Sequence, residues 1–211
     1  MNRFKIWVAG ASTALVLATG TAPARAGASF DFLFSMDQVG DDHQYFLNLA
    51  VGNYGYGRAV LEPVLPRLRY VEVDLPVVLF LANESGRGVD SIVALRARGM
   101  PWSAVFVELG VPLDVLFAGI DQDPGPPYGR AWGHWRNNPR GVRLDDGEVA
   151  SLVEVQIGSR LAGVRPGELA RGRGGDVAAY VAERKGRPYR PGNSGHDKGK
   201  EKHRPHDHLG H

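Results

Sequence analysis

Apolar residues recur at helical spacing in window after window of this chain. Leu75, Val78, Leu79 and Ala82 fall at i, i+3, i+4 and i+7, behind Asp74 as an expected N-cap and with Pro76 in the first turn. Trp102, Val105, Phe106 and Leu109 repeat the template between Pro101 and Gly110. Val149, Leu152, Val153, Ile157 and Leu161 make a longer stripe behind Asp145 and Asp146. Shorter helices are expected over residues 44–50 with Asp42 as cap, 91–98 stopped by Gly99, 113–118, and 166–171. Strand signals are thinner. Phe30, Phe32 and Phe34 alternate with polar or smaller neighbours, and residues 69–74 alternate loosely, which predicts a small two-stranded ribbon or extended arms.

A shift of 75 residues lays Arg96-Ala97-Arg98-Gly99 over Arg171-Gly172-Arg173-Gly174. The same shift sets Trp102, Val105, Phe106 and Glu108 over Val177, Tyr180, Val181 and Glu183. Each copy reads as a short helix, an Arg-x-Arg-Gly stop and a second amphipathic helix. The apolar stripes of such a hairpin must be covered by a neighbour. The expected fold is therefore mainly α, a compact bundle of short helices in two related hairpin units. The N-terminal unit spans 27–119 and the C-terminal unit 148–186. Between them, residues 120–147 are rich in Gly, Pro and aromatics and read as a long ordered loop. After residue 186 large apolar side chains almost vanish, so 187–211 is expected to be a disordered His-rich tail.

Residues 1–26 change where this bundle is expected to work. Arg3 and Lys5 precede an apolar stretch over 6–18 and the small-residue sequence Ala24-Arg25-Ala26, the pattern of a secretory signal peptide cut before Gly27. The expected location is periplasmic or secreted, with no membrane span after cleavage. The chain of 211 residues has no Cys, which excludes disulfides, a thiol nucleophile and thiolate-ligated metals. Charge is distributed unevenly. Residues 27–184 carry 15 basic and 20 acidic groups, while residues 185–211 carry seven basic and three acidic ones. A mildly acidic body is a poor match to a phosphate backbone, so no nucleic acid is expected as partner.

Two constellations carry candidate chemistry. Tyr128, Trp132, His134 and Trp135 fall within eight residues beside Arg136, among glycines that permit close backbone approach. Flat rings with polar neighbours suit stacking on sugars or on a peptide; the competing reading is that the tryptophans plug a gap between the hairpin units. In the tail, His203, His206, His208 and His211 stand two or three residues apart with Asp207 among them, a spacing that lets imidazoles converge on Zn²⁺, Ni²⁺ or Cu²⁺. Enzyme signatures are weak. Gly-x-Ser-x-Gly, His-Glu-x-x-His and phosphate-loop patterns are all missing, although paired carboxylates assembled by the fold leave no trace in spacing.

The run from Ile92 to Val111, with Gly99 at its turn, Trp102 opening the second helix and Leu109-Gly110-Val111 at its exit, resembles the helix-turn-helix of DNA-binding proteins. Its second helix offers Ser103, Ala104, Val107 and Glu108 outward, a poor set for reading base edges. The stretches Tyr45-Phe-Leu-Asn-Leu-Ala-Val-Gly-Asn-Tyr54-Gly55, Leu79-Phe-Leu-Ala-Asn-Glu-Ser-Gly86-Arg87 and Leu95-Arg-Ala-Arg-Gly-Met-Pro-Trp102 are similar to exported bacterial proteins of uncharacterised function with helix-hairpin repeats. That resemblance covers roughly residues 40–119 and implies location and architecture, with no catalytic position. The leading expectation is an exported helical binding protein, non-enzymatic and requiring no cofactor, whose partner is a protein or a cell-envelope polymer. The alternatives are a periplasmic divalent-metal-binding protein using its tail and a cell-wall-acting hydrolase with unrecognised carboxylates.

Overall fold

In a computed structural model, residues 41–172 and 175–186 are described. Nine α-helices run through them: α1 (Asp41–Tyr54), α2 (Arg58–Leu61), α3 (Val71–Ser85), α4 (Val89–Ala97), α5 (Trp102–Glu108), α6 (Gly129–Asn137), α7 (Asp146–Ala162), α8 (Pro166–Arg171) and α9 (Val177–Arg184). Three short 3-10 turns lie at Leu65–Arg67, Leu113–Phe117 and Pro139–Gly141. No strand occurs among the described residues. The bundle of short helices expected from the periodicity is the observed architecture. The Phe30–Phe34 alternation, the signal segment and the His-rich tail lie outside the described residues.

Two long helices, α3 and α7, pack against each other at the centre. Every residue of α3 from Asp74 to Ala82 is buried, because α1, α4 and α7 cover it from different sides. An apolar run with no polar face fits that position and no surface position. α7 starts on a capping box: the Asp145 carboxylate accepts from the Glu148 N–H at 2.8 Å, and Glu148 accepts from the Asp145 N–H at 3.0 Å. Gly163 closes the same helix in the left-handed conformation at φ 68°. Gly158, inside α7, permits the close seating of α8 and α9. A Cβ there would lie 2.5 Å from Val177 Cγ1 and 2.9 Å from Leu169 Cδ2.

The 75-residue spacing extends to helix starts beyond the two hairpins. A 75-residue shift carries Val71, the first residue of α3, onto Asp146, the first of α7, and Trp102, the first of α5, onto Val177, the first of α9. Each unit is therefore a long helix followed by two short ones, α3–α4–α5 and α7–α8–α9. The long members supply the mutual cover that the hairpins need.

A buried polar joint ties the units. Asp74 is 1 % exposed. Its Oδ2 accepts from the Tyr70 N–H and its Oδ1 from the Trp102 indole, both at 3.1 Å. Arg96 lies with its guanidinium 4.7 Å from the Trp102 ring centroid. It sits 3.6 Å from Asp74, donates to Asp146 at 2.7 Å, and donates to the Met100 carbonyl at 2.9 Å. The Arg-x-Arg-Gly stop of the first unit is thus also a clamp on the start of α7.

Several local expectations are corrected. Asp74 is not an N-cap: α3 begins three residues earlier behind Tyr70, and Asp74 turns back to accept from the Tyr70 N–H. Asp42 is likewise inside α1. Residues 69–74 form no strand, since tertiary cover on α3 overrides a loose alternation. The segment 120–147, read as a loop, holds the nine-residue helix α6 and a 3-10 turn. Gly129 and Gly133 disguise α6, yet Trp132 and Trp135 stand at i, i+3 and border the same cleft.

Candidate functional site

The 3-10 turn at Leu113–Phe117 and the residues after it run beneath α6, and they are fixed from behind. Buried Gln156 on α7 donates to the Leu116 and Ala118 carbonyls, both at 3.0 Å. The Gly119 carbonyl accepts from the Gly167 N–H at 3.0 Å, and the Ile120 carbonyl accepts from the Trp132 indole at 2.9 Å. Four carbonyls within five residues are therefore committed inward, so this strip of backbone is a pre-set floor. Gly119 adopts φ 73°, and a Cβ there would stand 2.9 Å from Pro166 Cδ. Only glycine fits that crossing.

On this floor α6 builds a cleft of about 440 Å³. Trp135 stacks on Phe117 with ring centroids 4.7 Å apart and planes 8° from parallel. Trp132 forms another wall, and Arg136, Asp114 and Asp121 stand at the exposed rim. The Trp135 indole nitrogen is buried and has no hydrogen-bond partner. Burying such a donor costs about 1–3 kcal/mol. Trp132 and Trp135 are each half-buried, packed against the core and bordering the cleft.

The structure divides the residues expected as a site. Trp132, Trp135 and Arg136 come together at the cleft. Tyr128 does not: it is 3 % exposed, and its hydroxyl donates to the Gly175 carbonyl at 3.0 Å, pinning the turn before α9. Burial chiefly, with the Glu154 and Asp176 carboxylates adding, pushes the Tyr128 hydroxyl far up. His134 is exposed on α6 and does not line the cleft. His203, His206, His208 and His211 lie outside the described residues. Among the described residues no group of three or more His, Cys, Asp or Glu is placed to hold a metal ion.

Sequence reasoning missed Asp114, Phe117, Asp121 and Gln156. Nothing in their spacing links them to α6, since the fold brings residues 114–121 against residues 132–136. The available signal was the glycine after Phe117-Ala118, which marked a forced turn beside an aromatic.

Carboxylate chemistry is concentrated elsewhere. Glu154 on α7 is pushed up to about 7, first by burial and then by the Asp176 carboxylate. It is not among the residues lining the α6 cleft. The two carboxylates that do line it, Asp114 and Asp121, are exposed.

No helix among the described residues is long and apolar enough to cross a membrane. The chain matches no protein-family model, no curated protein and no solved structure.

Proposed function

We propose that this chain is an exported, non-enzymatic binding protein whose contact site is the α6 cleft. The observation that carries the reading is the cleft itself. Its base is a stacked Phe117–Trp135 pair, its backbone floor is fixed by internal hydrogen bonds, and a guanidinium and two carboxylates rim it. Its volume falls in the range of ligand sites, and the pre-set floor lowers the entropy cost of binding. Ring faces supply contact area, and Arg136, Asp114 and Asp121 supply orientation. Partners suited to it are a protein segment or an envelope polymer.

Binding is favoured over hydrolysis by where the carboxyls lie. General-acid work near neutral pH needs a carboxyl kept protonated by burial or by a like charge. Glu154 is such a group, yet it is not at the cleft. Export rests on residues 1–26 and the expected cut before Gly27.

The test is titration of the mature chain with muropeptides, chitooligosaccharides and short peptides, followed by tryptophan emission and by product release. A saturable emission change that Arg136→Ala and Asp121→Ala weaken, with no bond cleaved, supports the reading. Unchanged emission with every probe, or cleavage of a wall polymer, overturns it.

A further inference from the structure

The α6 cleft is the middle of a longer feature. Asp114 also borders a second cleft of about 630 Å³, whose other walls include Val107, Val111, Leu113, Pro139 and Val142. Gly119 and Asp121 also border a third, of about 180 Å³, with Arg165, Glu168 and Arg171. Three neighbouring clefts thus share walls along one strip, residues 113–122. Their chemistry changes from aliphatic, through aromatic, to charged. Val107, at the aliphatic end, is 71 % exposed.

From this gradient we infer that the binding site is a single groove for an extended polypeptide segment, which lays an apolar end against Val107 and Val142 and a charged end against Arg165 and Arg171. The inference rests on the reading of the α6 cleft as a contact site and adds the class of partner. Charge complementarity selects among polymers. The three clefts carry Arg136, Arg165 and Arg171 against Asp114, Asp121 and Glu168, so both signs are present in equal number. A polyanion would meet as many carboxylates as guanidiniums and would find no use for the aliphatic end. A neutral glycan would leave the six charges unanswered and has no branched aliphatic groups to cover valines. A polypeptide is the polymer that carries apolar side chains and charges of both signs on one strand.

The floor also settles how the segment is held. The carbonyls of Leu116, Ala118, Gly119 and Ile120 are already bonded within the fold. Each already accepts one hydrogen bond inside the fold, which makes the strip a poor edge for an added strand and leaves side chains as the main means of recognition. Specificity then lies in the partner's residue pattern more than in its backbone.

The experiment selects binders to the full mature chain from a displayed library of random peptides about ten residues long, enough when extended to cross roughly 30 Å, about the width of a small domain. Selected peptides and chitooligosaccharides are then titrated against wild type, Val107→Asp and Arg171→Glu, all read by tryptophan emission. Both substitutions fall on exposed side chains at the two ends of the groove. The expected result is a shared pattern in the selected peptides, apolar at one end and charged at the other, with binding weakened about tenfold or more by each substitution. Peptides that bind both variants as tightly as wild type overturn the extended groove while leaving the α6 cleft as a site. Chitooligosaccharides that bind more tightly than any selected peptide overturn the polypeptide assignment alone. No emission change with any probe overturns this inference and the proposed function together.

Discussion

The indole of Trp102 donates to the buried carboxylate of Asp74 at 3.1 Å, joining the first helix of one three-helix unit to the last helix of the same unit. Arg96 covers that bond and extends it to Asp146 at the start of α7. The joint therefore holds α3, α5 and α7 together at once. It lies where the two units meet, and the groove floor departs from α5 only a few residues later.

Because Asp74 and Trp102 are both buried, removing the carboxylate leaves the indole N–H without its acceptor, and removing the indole leaves Asp74 Oδ1 with only Arg96 at 3.6 Å. Asp74→Ala and Trp102→Phe are each expected to lower stability by about 2–4 kcal/mol, the cost of a buried donor or acceptor without its partner together with lost packing. Urea unfolding of the two single variants and the double variant checks this. The double variant should be less destabilised than the sum of the singles, by about 1–2 kcal/mol.

Glu154 makes stability depend on pH. Its carboxyl has a pKa of about 7 in the folded chain against an ordinary 4.5, so the folded state binds the proton more tightly than the unfolded state. The contribution is intact below about pH 4.5, falls as pH rises through the window to about 7, and is lost above it. At full size the effect is on the order of 3 kcal/mol. Glu154→Gln, neutral at every pH, should flatten this part of the profile and melt several degrees above wild type at pH 8. Thermal melts from pH 4 to pH 8 decide it, and a wild-type profile unchanged by the substitution would contradict it.

Two glycines inside helices should respond in opposite directions to alanine. At Gly158 the new Cβ would meet Val177 and Leu169 at 2.5 and 2.9 Å, and overpacking of about 1–3 kcal/mol outweighs a helix-propensity gain of at most about 1 kcal/mol. At Gly133 on α6 nothing lies within 4 Å, so only the propensity gain of about 0.5–1 kcal/mol remains. Gly158→Ala should lower the melting temperature and Gly133→Ala should raise it.

Gln156→Leu keeps the volume at a buried position and deletes both hydrogen bonds to the Leu116 and Ala118 carbonyls. A stability loss of about 1–3 kcal/mol is expected. Limited proteolysis should find residues 113–121 cut faster than in wild type, because the strip has lost its rear anchor.

The helices that face the core were readable because burial imposes a period: the stripes at Trp102–Leu109 and Val149–Leu161 became α5 and α7 with their caps in place. α6 was hidden because two glycines in nine residues look like loop chemistry, and the compensation, ring packing on Phe117, comes from a segment twelve or more residues away. The same distance explains the site. Trp132, Trp135 and Arg136 were legible as a cluster, whereas Asp114, Asp121 and Gln156 join them only through the fold. Tyr128 belonged to the cluster by sequence alone; burial turned it toward Gly175. The 75-residue spacing was visible at the two Arg-x-Arg-Gly sequences, whereas the long helices, of 15 and 17 residues, share it only in where they begin.

The most direct test is a ¹H–¹⁵N spectrum of residues 27–211, which carry the three indoles of Trp102, Trp132 and Trp135 in different surroundings: one bonded to Asp74, one to the Ile120 carbonyl and one without a partner. Adding a selected peptide should shift the Trp132 and Trp135 indole signals in a saturable way and leave that of Trp102 in place. Equal shifts at all three, or a Trp102 shift without the other two, would contradict a contact site at the α6 cleft.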